Sequence, residues 1–250
     1  MKRINITVIC YFILQTSLLA LPINKPIVAS TFLAYPLETI TIRSSKPIGN
    51  AVWYAPHGHI LSVPGTDNIS WASTVREGVY PIILQQYSSI TDNSYIIVHN
   101  ASSTVSREEF AYLLALFLPP VITASESNIP DLPENHWAGP ALHACEAYGI
   151  LELYPDGLLR PYYPIKRTEA AKMLERFKQA LGLPVITNAA AGVFLDLSPK
   201  HWAYEAICQT IEILPPISNK KYGTIQTLSF AQARAVYDNL KTLKQIIATQ

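Results

Sequence analysis

Charge is scarce in this chain of 250 residues: charged side chains make up 15% and the formal net charge is +1. A nucleic-acid binder needs a basic field, and none exists here. Cysteine is almost as scarce, with three in all. Cys10 lies in an apolar amino-terminal run and lacks the small residue before it that a lipoprotein site requires. Cys145 and Cys208 fall on apolar helical faces. A disulfide in an oxidising compartment and two buried free thiols both remain open for them. There is no nucleophile elbow, glycine-rich phosphate loop or metal motif, so no catalysis, no cofactor and no metal is expected. His57 and His59 stand two apart without carboxylate or cysteine company, which is too little for a metal pair. Beyond the amino terminus no apolar run is long enough to span a bilayer. What is present is a 49% hydrophobic composition, which excludes a disordered chain. Nineteen prolines between short apolar runs point to short elements joined by rigid corners.

The amino terminus reads "MKR", then a largely apolar run, then "NKPIVAST". That order is the pattern of a secretory signal over residues 1–30, with Val28 and Ser30 placing cleavage before Thr31. An uncleaved anchor is the alternative, weakened by Asn5, Thr7, Gln15 and Thr16 within the run. Either way the remainder is exported. In residues 31–64, Glu38–Arg43 and Asn50–Ala55 predict a short hairpin around Ser-Ser-Lys-Pro.

Self-similarity dominates the rest. "PENHWA" at 133–138 returns as "SPKHWA" at 198–203, each with an aspartate (Asp131, Asp196) six residues before the tryptophan. Trp71, Trp137 and Trp202 lie 66 and 65 residues apart, each followed by an apolar spacing of helical type. A second helix is predicted at "SREEFAYLLALF" from Ser106, "KRTEAAKMLERF" from Lys166 and "SFAQARAVYDNL" from Ser229. Ser106 with Glu109 and Ser229 with Gln232 are capping boxes, whereas Lys166 makes the middle cap weaker. Four apolar columns agree across the three segments, giving units at 65–124, 125–188 and 189–250. The middle unit alone keeps a sharp connecting loop, "GILELYPDGLLRPYYPI", with Gly149 ending a helix and Pro155-Asp156-Gly157 turning the chain.

Asp-…-His-Trp-Ala, Gly-Ile, Tyr-Pro-Asp-Gly, Arg-Pro and Ile165-Lys166-Arg167-Thr168-Glu169 closely resemble the S-layer homology repeat. The resemblance implies a mainly α fold, with three helix–loop–helix repeats forming a pseudo-threefold spindle behind a short β-containing segment. It also implies noncovalent binding of cell-wall polysaccharide, often through pyruvate ketals, in grooves met by the helix-B arginine and nearby loop residues. The candidates are therefore Arg167, Arg160 and Arg107, with Lys166, Asp156, Gly157, Trp71, Trp137 and Trp202. An arginine at the first position of a helix joins free N–H groups and the positive dipole end, which suits a small anion. Each tryptophan serves either as core or as a face for sugar. Phe230 stands where the third arginine belongs, so the third groove is expected to be weak for anions. Two rivals remain: an assembly protein whose sugar sites have decayed and which binds another envelope protein, and a hydrolase sited on the amino-terminal segment.

Overall fold

The computed structural model describes residues 27–45, 47–62, 66–86, 89–120, 129–183 and 194–248. The apolar run that carries most of the expected signal lies outside them. Among the described residues no helix is long and apolar enough to cross a membrane. Two compact units divide the chain, one of Asn24–Ser103 and the other containing Thr104–Gln250.

The first unit is built of strands: β1 (Ile27–Ala29), β2 (Leu33–Ala34), β3 (Thr39–Ser44), β4 (Val52–Tyr54), β5 (His59–Ile60), β6 (Asn68–Ala72), β7 (Gly78–Gln86) and β8 (Ser89–Val98). They form one sheet in the order β1-β3-β6-β5 and another in the order β2-β8-β7-β4. Only β2 and β8 run parallel among these pairs. Alternation sends Ile40 and Ile42 of β3, Ile69 and Trp71 of β6, and Ile82 and Leu84 of β7 into the interior. Strand β1 lies just before the expected cleavage point, Val28 pairing with Arg43, so a cut before Thr31 would remove a strand from the first sheet.

The expectation of a mainly α fold is overturned: the described residues are 29% helical and 23% strand, with two sheets. The helix expected after Trp71 is absent; Trp71 lies fully buried in β6, and Val79, Ile82 and Ile83 lie in β7. Two physical signals favoured strand there. Pro81 sits where a helix interior would need its N–H, and a short run rich in β-branched residues fits a pleated surface. The predicted hairpin is corrected as well. Glu38–Arg43 and Asn50–Ala55 each contain a strand, but β3 pairs with β1 and β6 while β4 pairs with β7 in the other sheet.

The second unit holds α1 (Arg107–Ala115), α2 (Gly139–Ala147), α3 (Arg167–Ala180), α4 (Tyr204–Thr210) and α5 (Phe230–Ala248). Ser106 caps α1 through a full capping box, and Ser229 and Gln232 exchange the same two bonds at α5. At α3 only half survives: Glu169 accepts the Lys166 N–H at 2.9 Å, and a lysine side chain has no acceptor to return. The residues just before α1, α3 and α5 close a ring of backbone bonds. Val105 N–H donates to Leu228 O (3.0 Å), Leu228 to Ile165 O (2.8 Å) and Ile165 to Val105 O (2.9 Å). Val105, Ile165 and Leu228 are all buried at this ring. The apolar residue before each cap thus ties three helix starts to one centre, and the side chains that follow point outward from it into the neighbouring loops.

Candidate functional site

The aspartate–histidine–tryptophan–alanine pattern is a device that fixes a loop and a helix entrance together. Asp131 accepts the N–H groups of Leu159 (2.8 Å) and Arg160 (2.6 Å), 28 and 29 residues further on. Asp196 accepts those of Tyr222 (2.8 Å), Gly223 (2.7 Å) and Thr224 (3.1 Å). In both copies the histidine Nδ1 accepts from the alanine N–H two residues on, His136 from Ala138 and His201 from Ala203. Both alanines are completely buried, leaving no room for a larger side chain. The three N–H donors hold the Asp196 carboxyl below the usual range, against a raising effect of burial that is the largest single influence. A depressed carboxylate stabilises the fold above its unfolded pKa and loses that contribution as pH falls. Asp196→Ala should therefore lower stability by about 2 kcal/mol at neutral pH, since three buried donors lose their acceptor. Its chemical denaturation midpoint should converge with the wild type toward pH 3.

The helix-start arginines both reach into the loop that follows the next short helix. Arg107 Nη2 donates to Glu152 O (2.5 Å), and its guanidinium lies 4.8 Å from the Tyr154 ring centre. Arg167 repeats the arrangement: Nη2 to Pro215 O (2.5 Å), Nε to Tyr222 O (2.9 Å), and 4.8 Å over the Tyr222 ring. The two differ in what is left over. Arg167 is 1% exposed, and both nitrogens named are engaged by carbonyls. Arg107 is also buried, yet its Nε has no hydrogen-bond partner. At the third helix start Phe230 is fully buried.

Arg107 lines a groove of about 150 Å³ with Tyr154, Glu169, Lys172, Arg176 and Trp202. Glu169 is occupied on both oxygens, by the Tyr154 hydroxyl (2.6 Å) and the Lys166 N–H. Lys172 meets Glu175 at 2.5 Å, and Arg176 pairs with Glu152. Trp202 stands 60% exposed at the rim, stacked on His201. Arg107 also lies 3.9 Å from Glu169, so each of the three cations faces a carboxylate; a small ring that carries a carboxylate can compete for them and rest on the open indole face.

The other candidates lie around this groove or apart from it. Arg160, at φ 56°, pairs with Asp156 (2.5 Å) and covers the Tyr154 ring at 4.7 Å. Gly157 adopts φ 81° in the expected turn, closed by its N–H to Tyr154 O. Lys166 is exposed, and Trp71 belongs to the core of the other unit. Trp137 turns inward and donates Nε1–H to Glu108 Oε1 (3.1 Å). Lys172, Arg176, Tyr154 and Trp202 meet Arg107 across long sequence separations. The signal available for two of them was the four-residue spacing of Lys172 and Arg176, which puts both cations on one helical face.

Glu108 is buried with one carboxylate oxygen accepting from Trp137 and the other without a hydrogen bond. Burial pushes its carboxyl up to about 7, against the lowering effect of the Trp137 bond. His136 Nε2 lies 3.2 Å from Glu108 Oε2, which makes no hydrogen bond, and burial lowers the histidine. A carboxyl raised on folding costs stability as pH climbs from its unfolded value near 4.5 through about 7. The lowered histidine acts oppositely below its ordinary value. Glu108→Gln should raise stability at pH 8 by roughly 2 kcal/mol and leave it nearly unchanged at pH 4.5. Thermal melts of both proteins across that interval check this.

Residues 128–171 match the family model of the S-layer homology domain. The chain is 29% identical over 113 residues to a cellulosome-anchoring protein of Acetivibrio thermocellus, covering 43% of this chain and 24% of that protein. It is 31% identical over 114 residues to cell surface glycoprotein 1 of the same organism, covering 42% of this chain and 5% of that one. The match therefore spans a quarter or less of the length of these relatives.

Proposed function

Taking as premise that residues 128–171 carry an S-layer homology domain, we propose that this protein is an exported, non-enzymatic component of a bacterial cell envelope. It holds noncovalently to a wall polysaccharide through the groove between Arg107 and Trp202. The relatives named for cellulosome anchoring and for the cell surface support the setting. The observation that carries the reading is a groove lined by Arg107, Lys172, Arg176 and an exposed indole, with a buried Arg107 Nε that no hydrogen bond engages. A buried donor left unpaired is costly unless a ligand or water completes it. A carboxylate-bearing sugar, such as a pyruvate ketal, supplies both an acceptor for the cations of the groove and a ring face for Trp202.

A second reading has its own observation. Arg167 is engaged by protein carbonyls and Phe230 replaces the third arginine, which suits an assembly protein that binds another envelope protein in place of sugar. Co-sedimentation of the chain with purified sacculi separates the two. The wall reading predicts binding that is lost when mild acid strips ketals from the polymer. Absence of binding to untreated sacculi would favour the assembly reading.

A further inference from the structure

The two most exposed large apolar side chains among the described residues are Ile225, at 90%, and Leu195, at 77%. They sit on two segments that Asp196 locks together. Leu195 N–H donates to Lys220 O (2.8 Å), and Thr224 Oγ1 donates to Asp196 O (2.9 Å). The Asp196 carboxylate gathers the N–H groups of residues 222–224. Leu195 thus lies beside Lys220, and Ile225 follows directly on the residue that Asp196 holds. Ser218 and Lys221 exchange two backbone bonds, making the lysine-bearing tip a closed turn. A Cβ at Gly223 would come within 3.2 Å of Arg167, so the loop is also seated against the unit's interior. These segments are held in place, and their aliphatic tips are kept in solvent by the backbone that carries them.

The exposed charges carried on these two segments are of one sign. Lys200, Lys220 and Lys221 are exposed, and none forms an ion pair among the described residues. The one carboxylate carried on the same two segments, Asp196, is occupied by backbone donors. Aliphatic tips flanked by unpaired lysines offer a sugar neither a flat aromatic face nor a planar hydrogen-bonding fork. They do match a bilayer surface, where acyl chains receive the aliphatic groups and anionic headgroups receive the lysines.

We infer that the face formed by Leu195, Lys220, Lys221 and Ile225 is a peripheral contact site for an anionic lipid surface. It is separate from the sugar groove and does not rest on it. The contact is shallow and reversible, with two tips and a lysine pair, so it positions the helical unit at a membrane surface without spanning it.

The test uses the full chain with phosphatidylglycerol-rich vesicles and with pure phosphatidylcholine vesicles, reading amine-labelling rates of individual lysines by mass spectrometry. A site-specific reading distinguishes this face from any other part of the chain that meets lipid. Labelling of Lys220 and Lys221 should slow at least fivefold on the anionic vesicles and stay unchanged on the neutral ones. Leu195→Ser with Ile225→Ser should abolish the protection, and Lys220→Gln with Lys221→Gln should weaken flotation with anionic vesicles by roughly 30-fold, from about 1 kcal/mol per lysine. Equal labelling of Lys220 and Lys221 with and without anionic vesicles overturns the inference. So does protection of these lysines by sacculi or by a protein fraction in the absence of any lipid effect.

Discussion

Arg167→Ala is expected to lower the melting temperature of the protein by about 10 °C. The side chain is 1% exposed, and it bonds two carbonyls and covers the Tyr222 ring. Its removal leaves two buried acceptors without donors and a void beneath Tyr222, whose hydroxyl already lacks a partner. Losses of this kind cost about 3 kcal/mol, and a unit of this size shifts by roughly 2–4 °C per kcal/mol. Burial lowers the arginine's pKa yet leaves it a cation at any ordinary pH. Arg167→Lys should fall between the two, since an ammonium can reach one carbonyl but cannot stack or fork. A melt of Arg167→Ala within 2 °C of wild type would contradict the clamp. Any loss of wall binding in this variant must be judged against its melt, because a weakened fold would imitate a lost ligand contact.

The second large effect concerns the groove. Trp202→Ala removes an indole that is mostly in solvent, so the fold should lose less than about 0.5 kcal/mol. Binding to sacculi should nevertheless fall by at least tenfold under the proposed function, in which the exposed ring that lines the groove is the face for the sugar. Lys172→Gln with Arg176→Gln should weaken it by a similar factor and reduce its salt sensitivity. Arg176 pairs with the exposed Glu152, a contact that is cheap to lose, whereas Lys172 meets the buried Glu175, so the double variant should lose about 1 kcal/mol of stability, a glutamine at 172 keeping one donor for that carboxylate.

Much of the helical unit was legible from residues alone. Capping boxes name their own helix starts, and the columns Phe110, Ala170 and Ala233 are fully buried, as their helical spacing predicts. The repeated aspartates were visible as a pattern, but their partners lie 26–29 residues away and no local rule reveals them. The β unit was misread because tryptophan spacing gave Trp71 a helical role while Pro81 and the β-branched run beside it said otherwise. Arginine at the first helical position was read as an anion site for both Arg107 and Arg167. The difference between them depends on one nitrogen, engaged at Arg167 and left open at Arg107, which only the loops 48 to 55 residues away decide.

The most direct measurement is a sacculus-binding isotherm of wild type and of Lys172→Gln with Arg176→Gln, alongside thermal melts of both. The account predicts affinity reduced at least tenfold in the variant while the melts show both proteins fully folded at the assay temperature, and no binding by either protein once ketals are removed. Equal affinity of the two proteins for untreated sacculi would contradict a groove that recognises wall polymer.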